Sequence, residues 1–196
     1  DTLLLPVKTF AFPENNRLAL NTLDALAQQG SEEAFSALRR VALNPQAGST
    51  VRNAAARTIR DLAMKSTYLS AIRALPELIL SDLIESDLKF NPRDDNFNRG
   101  YKLIEVLLDF ASPYRKKPLS TEVRKELLGY LVQIVLAKDV PGITDAAKER
   151  IVNYFIGGIQ DPSFQTRVAL EQLIPEFGDT LLLPVKTFAF PENNRL

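Results

Sequence analysis

Residues Thr50–Leu62 read TVRNAAARTIRDL, and the apolar members Val51, Ala55, Ile59 and Leu62 recur at intervals of four, four and three. That is the period of one face of an α-helix. Ile72, Leu75, Ile79 and Leu83 keep the same spacing, as do Tyr101, Ile104, Leu108 and Ala111, then Val123, Leu127, Leu131 and Ile134, then Ala147, Ile151 and Phe155. No stretch sustains a two-residue alternation, so no strand is expected and the fold class is all-α.

Local punctuation agrees with the period. Ser31 before Glu32 and Glu33, Ser120 before Glu122, and Thr144 before Asp145 each place a side-chain acceptor at a helix start, with negative charge in the first turn. Asn91-Pro92 and Asp161-Pro162 pair a capping residue with a proline, whose missing N–H is harmless at the first helical position. Gly30 and Gly178 stand where a left-handed residue closes a helix. These signals predict helices at 2–12, 14–29, 32–43, 50–65, 67–88, 95–111, 120–138, 144–160, 163–177 and 180–190. The expected core is Leu23, Leu26, Leu38, Ile59, Leu62, Ile72, Leu108, Leu131, Ile151, Leu170 and Leu173. Short connectors imply antiparallel neighbours, arranged as a bundle or a stacked solenoid.

Three segments favour the solenoid. Arg17-Leu18-Ala19-Leu20, Arg52-Asn53-Ala54-Ala55 and Arg167-Val168-Ala169-Leu170 each follow a helix start with an arginine and then small and apolar residues. This resembles the second helix of HEAT repeats in the armadillo-like superfamily, and Val51-Arg52-Asn53-Ala54-Ala55 is the closest match. Arg17 and Arg52 are 35 residues apart, near a HEAT repeat length. Pro6, Pro76, Pro175 and Pro184 fall within or near predicted helix ends, similar to the proline-bearing first helix of such repeats. The resemblance covers 1–65 and 144–196 and fades over 66–143, where an unpaired helix or a three-helix repeat would reconcile the count. It implies a right-handed α–α superhelix of nine to ten helices, one domain over 1–196, and a curved surface that binds protein.

Asp1–Leu18 reads DTLLLPVKTFAFPENNRL, and Asp179–Leu196 repeats those eighteen letters without a change. The match preserves solvent-type residues such as Lys8, Asn15 and Asn16, so it reads as an engineered or very recent duplication, or as incidental to how the chain was made. Leu18 runs into Ala19–Leu26 with helical spacing, and Phe177-Gly178-Asp179 offers a helix end followed by a cap. Each copy carries an apolar set: Leu3, Leu4, Leu5, Val7, Phe10 and Phe12, and Leu181, Leu182, Leu183, Val185, Phe188 and Phe190. Two uses follow. The copies compete for one site in alternate folding frames, or both sites fill and chains join head to tail or by exchange of the terminal helix. The second use is the expectation here.

Composition narrows the chemistry. The 196 residues hold 24 Lys plus Arg against 24 Asp plus Glu, so net charge points to neither a nucleic acid nor an anionic membrane as partner. Charge is uneven locally. Arg39 to Lys65 holds six basic residues against Asp61 alone, and Arg39, Arg40, Arg52, Arg57 and Arg60 are candidate partner-binding residues. With no cysteine and no histidine, thiol catalysis, imidazole bases and Cys- or His-ligated metal are excluded. Asp94-Asp95 reads as capping, Gly157-Gly158 as close packing or a helix end, and Arg115-Lys116-Lys117 as a solvated cluster or a phosphate contact. No catalytic, cofactor or metal residue is expected, and the reading is non-enzymatic. HEAT-like DNA glycosylases and tetrapyrrole lyases are the enzyme alternatives, although the chain has no tryptophan and no motif selecting either. No apolar run approaches membrane-spanning length. A start at Asp1 suggests a processed, excised or engineered terminus. The lack of cysteine suits an exported bacterial protein and is equally compatible with the cytoplasm.

Overall fold

A computed structural model describes residues 13–66, 68–90, 102–112 and 114–160. Among them lie eight helices and no strand: α1 Pro13–Gln28, α2 Glu32–Ala42, α3 Ser49–Ser66, α4 Leu69–Leu80, α5 Ser86–Lys89, α6 Leu103–Ala111, α7 Thr121–Leu136 and α8 Asp145–Gln160. The helices expected at 2–12, 163–177 and 180–190 lie outside the described residues, with Leu170, Leu173 and Gly178. So do Asp94-Asp95 and the Asn91-Pro92 and Asp161-Pro162 pairs. The described chain forms two compact units, one running to Val106 and including Val140–Gly142, the other comprising Leu107–Asp139 and the chain from Ile143.

Capping residues set the helix ends where the sequence placed them. Gly30, at φ +91, closes α1: its N–H donates to the Ala27 carbonyl at 2.9 Å and the Ser31 N–H to Leu26 at 3.0 Å, the paired bonds of a Schellman ending. Ser31 then accepts from the Ala34 N–H at 3.2 Å, Ser120 from Val123 at 3.4 Å and Thr144 from Ala147 at 3.3 Å. Each hydroxyl satisfies one of the donors that a helix start leaves without an internal partner. Glu122 lies in the first turn of α7, where backbone N–H bonding and then the Ser120 hydroxyl hold its carboxyl below the usual range.

In the first unit, α1 packs on α2 and α3, α2 on α3 and α4, and α3 on α4. Alternate helices therefore share a layer, α1 with α3 and α2 with α4. Leu38, Ile59, Leu62, Ile72, Leu75 and Ile79 are fully buried between them. Pro76 sits inside α4 and cannot supply the N–H that would reach the Ile72 carbonyl. In the second unit, α7 packs on α8, and Leu127, Leu131, Ile134, Ala147 and Ile151 are buried.

Two expectations are corrected. The helix predicted over 67–88 ends at Leu80, because Ser81 turns to ψ 131 and its hydroxyl accepts from the Leu83 N–H at 3.2 Å. This local bond competes with the helical ladder. Two α3 side chains hold the turn: Arg52 Nε donates to the Leu83 carbonyl at 3.2 Å, and Asn53 Oδ1 accepts from the Glu85 N–H at 3.0 Å. The second correction is Leu26, expected in the core and 37% exposed. The buried stripe of α1 is Ala19, Leu20, Leu23 and Ala27, and Leu26 falls on its flank. Leu23, Leu38, Ile59, Leu62, Ile72, Leu108, Leu131 and Ile151 are buried as expected.

Candidate functional site

One flank of α1 carries Leu18, the last residue of the first duplicated copy. Leu18, 67% exposed, and Leu26 lie eight residues apart with Thr22 midway, so the three share one side of the helix. Thr22 directs its hydroxyl to the Leu18 carbonyl at 2.9 Å, which satisfies that polar group within the helix. The flank therefore offers apolar surface without an unmatched donor. The apolar sets Leu3, Leu4, Leu5, Val7, Phe10 and Phe12, and Leu181, Leu182, Leu183, Val185, Phe188 and Phe190, lie outside the described residues.

The five candidate arginines do not form one free patch. Arg39 Nε meets the Glu77 carboxylate at 2.5 Å, linking α2 to α4, and Arg60 chelates its neighbour Asp61 at 2.9 and 3.0 Å. Arg52 is half-buried and donates to the carbonyls of Ala47 and Leu83, bracing the loop before α3 and the turn after α4. Arg40 and Arg57 are exposed and, among the described residues, without a hydrogen-bond or ion-pair partner. Arg115 is likewise engaged. It pairs with Asp109 at 2.8 Å and stacks 3.9 Å from the centre of the Phe110 ring, while Lys116 and Lys117 are exposed.

Beside the Arg39–Glu77 pair, Ser70 Oγ donates to Glu32 at 3.1 Å, a second polar tie from α2 to α4. Tyr68 packs edge-on against Phe35 with ring centres 5.4 Å apart. Burial, and then the Glu32 carboxylate, push its hydroxyl pKa up to about 12.

Sequence reading missed Lys89 and Gly142. Lys89 is 0% exposed, and its Nζ donates to the Ser81 carbonyl at 2.5 Å and the Pro141 carbonyl at 2.6 Å. Burial lowers its pKa from an ordinary 10.5 to about 8, against the opposing pull of Asp82. Gly142, at φ +82, lies so near α5 that a Cβ there would stand 2.6 Å from Ser86 Cα and 3.1 Å from Lys89 Cδ. The one available hint was Lys89 itself, a cation set between apolar Leu88 and Phe90.

Among the described residues, no group of three or more Asp or Glu side chains is placed to hold a metal ion, and no helix is long and apolar enough to cross a membrane. Compared with known protein families, curated proteins and solved structures, the chain matches none.

Proposed function

We propose that the chain is a non-enzymatic helical-repeat scaffold, a HEAT-like α-solenoid over 1–196, whose first partner is another copy of itself. The alternation of layers in the first unit supports the repeat reading: every helix from α1 to α4 packs on its neighbour, and α1 and α2 also reach the next helix but one. Arg52 supports it further, since the arginine that marks the HEAT-like motif ties the loop before its helix to the turn that follows α4. Stacked helix pairs present a side-chain surface on which proteins dock.

The observation that carries self-association is the apolar flank of α1, where Leu18 and Leu26 are exposed, in a chain whose first eighteen residues, ending at Leu18, recur at 179–196. Two copies of one apolar segment in a chain allow a head-to-tail contact or an exchange of terminal segments between chains. Sedimentation velocity over a wide concentration range tests it. The full chain should gain mass with concentration while a chain ending at Gly178 stays monomeric; two monomers throughout would defeat the proposal.

A further inference from the structure

We propose that the Lys116–Lys117 peptide bond is a processing site for a trypsin-class serine endopeptidase, a protease with an acidic primary pocket, and that the fold selects this bond within the run Arg115-Lys116-Lys117-Pro118. Cleavage here does not depend on whether chains associate.

The connection between α6 and α7 is held at both ends and open between them. On its α6 side, Ser112 Oγ accepts from the Tyr114 N–H at 3.2 Å, and Arg115 pairs with Asp109 at 2.8 Å. On its α7 side, the Leu119 carbonyl accepts from the buried Arg124 at 3.1 Å, one residue before the Ser120 cap. Lys116, Lys117 and Pro118 are exposed, and among the described residues their backbone makes no hydrogen bond. A serine protease holds its substrate as an extended strand and pairs with the main chain, so it requires peptide groups that are solvated and unpaired. Exposed loop tips are accordingly where nicking concentrates.

Three bonds in this arch follow a basic residue, and two of them are blocked. Cleavage after Arg115 needs its guanidinium in the acidic pocket of the protease. Here that group is engaged by the Asp109 carboxylate and lies 3.9 Å from the centre of the Phe110 ring. Cleavage after Lys117 would break the bond to Pro118, a tertiary amide with no N–H and a ring-fixed φ, which such an active site accommodates poorly. Lys116 has neither restraint. It is exposed and without a hydrogen-bond or ion-pair partner among the described residues, and the bond that follows it is an ordinary secondary amide. The serine of the protease takes the Lys116 carbonyl carbon as an acyl ester while the amide nitrogen leaves, protonated, as a new amino terminus at Lys117. Water then releases Lys116 as a carboxylate.

Brief digestion of the folded, full-length chain with a low ratio of trypsin, read by intact-mass spectrometry and N-terminal sequencing, tests the site. A terminus beginning Lys117-Pro118-Leu119 should form at least tenfold faster than one beginning at Lys116 or at Pro118. Lys116→Gln should abolish it and leave the whole connection uncut, because the bonds on either side stay blocked. Two variants check the reasons separately. Asp109→Asn releases Arg115 and should speed the cut after Arg115 at least tenfold, and Pro118→Ala should open a cut after Lys117; circular dichroism on each keeps misfolding from passing as a result. A Lys116–Lys117 bond that survives while the chain is cut elsewhere would overturn the site. A cut after Arg115 as fast as that after Lys116 in the unaltered chain, or no new cut in either variant, would overturn the selection.

Discussion

Replacing Lys89 with methionine keeps the length and most of the volume of a side chain that is 0% exposed, and removes only its ammonium. The native amine titrates at about 8 and an exposed one at 10.5. Below pH 8 both folded and unfolded chains hold the proton, and the folded state carries the whole cost of burying the charge. Between pH 8 and 10.5 the unfolded chain binds a proton that the folded one lacks, so stability rises with pH. Above that window the contribution is level. At about 1.4 kcal/mol per unit of separation, the rise amounts to roughly 3 kcal/mol.

The substitution also removes two charge-assisted bonds, to Ser81 and Pro141, worth about 1.5–3 kcal/mol each. Relief of the buried charge offsets much of that loss, so Lys89→Met should cost only about 0–3 kcal/mol at pH 7. Urea unfolding followed by circular dichroism at steps from pH 7 to 10.5 measures the difference between the two proteins, in which all other titrating groups cancel. The unaltered chain should gain on Lys89→Met as pH rises through the window. A difference that stays flat would refute the reasoning, because the amine would then be as well solvated folded as unfolded.

Other substitutions probe neighbouring claims by the same unfolding assay. Ile59→Ala removes a fully buried side chain between helix layers and should cost about 2–5 kcal/mol; no measurable cost would mean that this face of α3 is not core. Asn53→Ala leaves the Glu85 N–H without its acceptor and should cost about 1–3 kcal/mol, with faster amide exchange concentrated at residues 81–85. Gly142→Ala meets both a left-handed backbone and a Cβ placed 2.6 Å from Ser86 Cα, and should cost at least about 1 kcal/mol. Gly129→Ala, at a helical glycine with nothing within 4 Å of an added Cβ, should instead be neutral or stabilising.

Much of the helical layout was legible because it is decided locally. Ser31, Ser120 and Thr144 cap the helices that follow them, and Gly30 closes the one before, since each acts on backbone groups within a turn of itself. The break after Leu80 was not legible. The spacing of Ile72, Leu75, Ile79 and Leu83 continues through it, and the side chains that stabilise the turn come from α3, about thirty residues earlier in the chain. Arg52 read as a surface charge for the same reason. Lys89 defied reading because a lysine normally stays in water, and only the fold brings two carbonyls to it. Leu26 was misplaced by a small rotation about α1, which apolar spacing does not resolve when Leu23 and Ala27 lie beside it. The self-assembly residues that the duplication marked lie outside the described residues, and the α1 flank was not legible, since Leu26 read as core.

If one chain's C-terminal copy docks on the α1 flank of another, as proposed, disulfide trapping reads it most directly, because the chain has no cysteine of its own. A chain carrying Leu26→Cys is mixed with chains carrying single cysteines scanned along Leu181–Val185. Ser36→Cys, on an exposed position of α2, replaces Leu26→Cys as the control. The account predicts mixed disulfides that form markedly faster at one or two registers of the scan than with the control. Equal rates at every register, with Leu26→Cys no better than Ser36→Cys, would contradict it.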